Sequence, residues 1–131
     1  MSTSTTTITV NCRNENELAN LTTAVNELVS TLGVQGLVNL ANKANHEPLI
    51  RGAMKAMTAV ATLANGFSKS RPFNLTLPLP ATTTPRAANQ LAETLTGMLR
   101  DYGGAKGMMI LHHKFTTDAD LASKVTQAAA G

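Results

Sequence analysis

A few side chains in this sequence have the means to do chemistry: His46, His112 and His113, the pair Asp118 and Asp120, the lone Cys12, and Lys106 within the run Gly103-Gly104-Ala105-Lys106-Gly107. Adjacent histidines on a strand point to opposite faces and chelate one ion poorly. No HExxH is present, so the histidines read as surface or interface residues. Asp118 and Asp120 follow Thr117 and suit the positive start of a helix better than a metal. The glycine run could approach a phosphate, with Lys106 neutralising it. Its order does not match GxxxxGK[ST], and a helix stop with a turn is the simpler reading. Arg13 beside Cys12 could lower the thiol pKa. With no second cysteine, Cys12 reads instead as a small buried apolar group. No catalytic residue, metal or cofactor is assigned, and the chain is not expected to be an enzyme.

Charge placement carries more information. No acidic residue stands between Glu47 and Glu93, a window holding Arg51, Lys55, Lys69, Arg71 and Arg86. Positive charge without local counter-charge attracts phosphates. At about 100° per residue, Arg51, Lys55, Thr58 and Thr62 share one helix face that could lie along a nucleic-acid backbone. Arg51, Lys55, Thr58, Thr62, Lys69, Arg71 and Arg86 are therefore the candidate nucleic-acid contacts. Contacts to phosphate position a protein without reading sequence.

The elements that must hold these residues follow from periodicity. Residues 1–13 form a flexible or extended N-terminal arm, in which Ile8, Val10 and Cys12 alternate. The remainder, 14–131, reads as one helical domain. Asn14 with Glu17 resembles a capping box. Leu18, Leu21, Val25, Leu28, Val29 and Leu32 then trace a helix that Gly33 ends. A second helix covers 35–45. A third starts at Pro48 and runs to about Asn65, where Gly66 closes it. Its apolar side includes Leu49, Ile50, Met54 and Met57, and the methionines read as core filling. Residues 67–84 form a proline-containing extended strap with Phe73, Leu75, Leu77 and Leu79 on one side. Thr84 and Pro85 begin a fourth helix that Gly103 and Gly104 stop. Residues 108–115 suit a strand or a helix equally, and a last helix begins near Thr117. The fold class is mainly α, with four to five short helices, the arm and the strap. A small β component, giving α+β, is the alternative.

The totals suit one domain: 131 residues, 43% hydrophobic, net charge +3 and a single cysteine. Charged residues make up only 15% of the chain, against the roughly 25–35% expected of a free surface. Either much of the surface lies against other macromolecules, or threonine and asparagine supply a soluble surface in place of charge. No apolar run is long enough for a membrane span, and the first residues do not form a signal peptide.

Low charge, small helix-packing residues and a greasy strap suggest a self-assembling subunit. Phe73, Leu75, Leu77 and Leu79 would then cross to a neighbour as subunit contacts. In size, Thr/Asn/Ala-rich composition and the stretches "AVNELVSTLGVQGLVNLA" and "LIRGAMKAMTAVATLANGF", residues 1–66 resemble the helical major coat proteins of archaeal filamentous viruses. That resemblance implies a virion protein, assembled in a host cytoplasm. Its partners would be copies of itself or a related subunit, and nucleic acid, namely duplex DNA bound without sequence preference. The alternative is a small soluble α or α+β interaction module, such as a phage-encoded inhibitor, adaptor or accessory subunit. Such a module would dock through the strap or residues 108–115.

Overall fold

The arm and the strap, 59 residues apart in sequence, pair with each other. In a computed structural model describing residues 4–52, 54–56, 58 and 71–130, strand β1 (Ser4–Cys12) runs antiparallel to β2 (Arg71–Leu79). The register places Ser4 opposite Leu79 and Cys12 opposite Arg71. Both strands alternate in burial, as period-two pleating requires. Thr6, Ile8, Val10 and Cys12 are buried on β1, and Leu75, Leu77 and Leu79 on β2, with Phe73 half-buried. The opposite face, made of Thr5, Thr7, Thr9, Asn11, Pro72, Asn74, Thr76 and Pro78, is exposed and uncharged.

This pairing corrects two expectations. Residues 4–12 are not an arm apart from the domain. Leu75, Leu77 and Leu79 are not held out to a neighbour, because they are 1%, 0% and 4% exposed within the chain's own core. A two-stranded ribbon is marginal alone and needs a layer to cover its greasy face. Helices supply that layer.

Helix α1 (Glu15–Leu32) starts at Asn14, whose side chain accepts from the Glu17 N–H at 2.8 Å. The Glu17 carboxylate in turn accepts from the Arg13 N–H at 3.4 Å, one residue earlier than in the usual capping box. Gly33 ends α1 with φ of 81°, a left-handed value that glycine adopts without strain. Helix α2 (Val34–His46) follows at once. Pro48 opens α3, described as helical at 48–52, 54–56 and 58. The expected end near Asn65 and the stop at Gly66 lie outside the described residues, as do residues 67–70 of the strap.

Helix α4 (Pro85–Asp101) begins as the sequence indicates, with the Thr84 hydroxyl accepting from the Ala87 N–H at 3.1 Å. Residues 108–115 are helical, within α5 (Gly104–Thr117), and α6 (Ala119–Ala129) completes the chain. Asp118 caps α6 by accepting from the Leu121 N–H at 3.1 Å. Leu21, Val25, Leu37, Leu40, Leu91, Leu95, Met98, Met108 and Leu111 meet the inner side of the ribbon in one core. The class is mainly α with a small antiparallel sheet.

Candidate interaction surfaces

Among the described residues, those expected to line a nucleic acid do not all share a face. Arg51 turns back on the end of α2. Its Nε donates to the Ala44 carbonyl at 3.1 Å, and Nη2 donates to the Asn45 carbonyl. The last carbonyls of a helix lack intrahelical partners and form its negative end, so a guanidinium there is both satisfied and satisfying. Lys55, one turn on, is exposed. Thr58 corrects the expected stripe: it is 2% exposed, and its hydroxyl donates to the Met54 carbonyl at 2.8 Å. Ile50, Met54 and Thr58, at spacing four, form the inward side of α3. Thr62 and Lys69 lie outside the described residues.

Arg71 is exposed, with its guanidinium 4.9 Å from the centroid of the Phe73 ring, a cation–π contact. Arg86 is exposed at the start of α4. It lies near the far end of the ribbon, where the Thr6 hydroxyl donates to the Ala88 carbonyl at 3.3 Å. At about 3.4 Å per residue, the ladder separates its two ends by roughly 27 Å. Arg71 and Arg86, both in the acid-free window, therefore do not form one patch in space.

Some of the other candidates have structural partners. His112 Nε2 meets Glu27 Oε2 at 2.5 Å, tying α5 to α1. Among the described residues, no three His, Cys, Asp or Glu side chains converge in a way that could hold a metal ion. Cys12 is fully buried, and burial pushes its thiol pKa up, with the Glu17 carboxylate adding to the effect. The neighbouring Arg13 is engaged elsewhere, its Nε 3.1 Å from Glu17 Oε2. Gly103 takes a left-handed φ of 88° and turns α4 into α5. The glycine run is thus the joint between two helices.

What periodicity alone did not reveal is an apolar groove. Leu40, Leu49, Ile50, Met54, Val125 and Ala128 line a hollow of about 490 Å³ between α2, α3 and α6. Lys43, Glu47 and Lys124 stand at it, with Lys43 Nζ 3.6 Å from Glu47 Oε1. Leu49 was expected to face inward but is 90% exposed. The signal was present in the adjacency of Leu49 and Ile50. Neighbours on a helix point about 100° apart, so a stripe centred on Ile50, Met54 and Thr58 cannot also hold Leu49. A second, smaller hollow of about 250 Å³ lies between α2 and α4, lined by polar groups such as Asn42, Asn45, Thr94 and Asp101.

Compared with protein-family models, with curated proteins and with solved structures, the chain has no match. No helix among the described residues is long and apolar enough to cross a membrane.

Proposed function

We propose that this protein is a structural subunit that assembles with copies of itself. The observation that carries the reading is Leu49, 90% exposed beside a groove whose other apolar residues it would help to close. Large apolar side chains gathered at an open groove mark a contact surface. A second copy is the occupant we infer. The groove carries lysine and glutamate together, so two copies facing each other across a two-fold axis can set Lys43 or Lys124 against the other's Glu47. Burying Leu49 in such a contact is worth about 1.5–3 kcal/mol.

The strap no longer supports this reading, since its leucines are used inside the monomer. Nucleic-acid binding is the secondary part of the proposal. It rests on Lys55, Arg71 and Arg86, whose side chains are exposed but dispersed. A subunit with a few scattered phosphate contacts binds appreciably only when many copies act together. A virion coat built on duplex DNA is the fuller form of this proposal.

Size-exclusion chromatography with light scattering, with and without duplex DNA, tests it. Self-assembly is expected without DNA and is expected to grow with it at low salt. Leu49→Asp should reduce the mass without unfolding the chain. A monomer at every concentration, indifferent to DNA, would instead support the small interaction module, with a foreign segment in the groove.

A further inference from the structure

The ribbon has two outer edges, and proline blunts only one of them. Pro72 pairs with Asn11, and Pro78 with Thr5. In an antiparallel ladder, alternate pairs either exchange both backbone hydrogen bonds or turn their N–H and C=O groups away from each other. Proline has no N–H to exchange, so residues 72, 74, 76 and 78 are those whose backbone groups point away from β1. Two of the four donors on that edge are missing. Parity then fixes β1. Thr5, Thr7, Thr9 and Asn11, the partners of those four, turn their N–H and C=O groups to the opposite edge.

That edge is intact. All four residues keep an N–H, and all four side chains are exposed. Among the described residues, no backbone or side-chain group outside the ribbon hydrogen-bonds to it. From Ser4 to Cys12 the strand has neither charge nor proline, and six consecutive residues, Thr5 to Val10, are β-branched. Natural sheets guard such edges with lysine, proline, a bulge or a covering element. Helix α4 meets β1 through the inward side chain of Thr6, and among the described residues no lysine, proline or bulge guards this edge, which leaves it a template for another strand.

We propose that β1 pairs antiparallel with β1 of a second copy, forming a four-stranded sheet across a two-fold axis. An antiparallel edge is complementary to itself, because the two-fold sets each outward N–H against an outward C=O. The lack of charge lets identical strands meet without repulsion. Registers that match odd-numbered residues with odd-numbered ones keep Ile8, Val10 and Cys12 of both copies on the inner face. This contact adds to the assembly reading above and does not use the groove.

Amide hydrogen exchange on the full chain across a dilution series is the test, run beside light scattering. The N–H groups of Thr5, Thr7, Thr9 and Asn11 should slow by roughly tenfold or more at concentrations where the mass rises. Thr7→Pro removes one outward donor, as Pro72 already does on the other strand, and should abolish that protection. Thr9→Lys, which places a charge on the exposed face of each copy, should weaken it with the fold intact. The inference falls if copies associate while these four amides exchange freely, in which case assembly stands on other contacts. It falls together with the assembly reading if the chain is monomeric throughout. Protection that arises in a monomeric chain only on adding an unrelated extended peptide also overturns self-pairing.

Discussion

Gly107 sits where α5 crosses the end of α4. A Cβ there would lie 1.6 Å from the Tyr102 carbonyl oxygen and 2.7 Å from its carbon. Both are backbone atoms, so nothing flexible can give way, and Gly107→Ala has to move the helix. Its cost should reach or pass the top of the usual range for overpacking, about 1–3 kcal/mol, read by urea unfolding. Gly52→Ala is the contrast. Gly52 is helical, and nothing lies within 4 Å of an added Cβ. That change should stabilise by about 0.5–1 kcal/mol, the helix-interior preference for alanine. Cys12 gives a pH signature. Burial and Glu17 raise its folded pKa, so the native state keeps a proton that the unfolded chain has already released. Stability on this account is intact at neutral pH and drains as pH rises beyond about 9. Tyr102, raised first by burial and then by Asp101, with Arg51 opposing, adds a second loss beyond about pH 10. Unfolding free energy measured from pH 7 to 10 should fall more steeply for the natural chain than for Cys12→Ala. The slope is the readout, because the lost sulfur shifts the whole curve.

Among the elements, the strap shows what alternation can and cannot say. Apolar residues at 73, 75, 77 and 79 state that one side of an extended segment is greasy. They do not state whose helices cover it, because period two is the same for an inner strand and an intermolecular arm. The deciding partner, β1, lies far off in sequence and has threonine at four of its nine positions. Thr6 points inward with its hydroxyl on the Ala88 carbonyl, which no polarity pattern would indicate. Thr58 misleads in the same way. A polar residue reads as outward, yet a threonine can bury itself by donating to the carbonyl four residues back, and Thr58 packs beside Gly107. Boundaries with their own chemistry were legible, at Asn14, Gly33, Thr84–Pro85 and Asp118, because a cap is a local bond. Residues 108–115 were not, since Met, Ile and Leu in a short run serve either element. The strap's place in the core makes a definite prediction. Leu75→Ala and Leu77→Ala should each cost about 2–5 kcal/mol in urea unfolding. Two such losses approach the whole stability of about 5–15 kcal/mol that such a domain holds. Circular dichroism should show the helices lost along with the strap, because the ribbon's inner face is the floor on which α1 and α4 rest.

For the whole molecule, the acid-free window and the shortage of charge have different consequences. The window's described cations, Arg51, Lys55, Arg71 and Arg86, are spread over α3 and both ends of the ribbon, and Arg51 is occupied by the carbonyls that end α2. If the protein binds duplex DNA, Arg51→Ala with Lys55→Ala should lower the slope of log affinity against log salt by roughly 0.9, the effect of one phosphate contact. A fall near twice that would mean Arg51 leaves α2 for the phosphate. On the assembly proposed above, the shortage of charge goes with protein contacts. The groove beside Leu49 and the open edge of β1 are separate surfaces, each suited to a two-fold pairing. One two-fold contact closes a dimer and stops. Two on the same subunit lead each dimer to another, as a ring if the rotations close and as a filament if they do not. The natural chain should therefore exceed a dimer in light scattering. Leu49→Asp should leave dimers joined through β1, Thr7→Pro should leave dimers joined through the groove, and the double variant should be monomeric. If either single change alone yields monomers, the two surfaces do not act independently, and the extended assembly gives way to a simple pair.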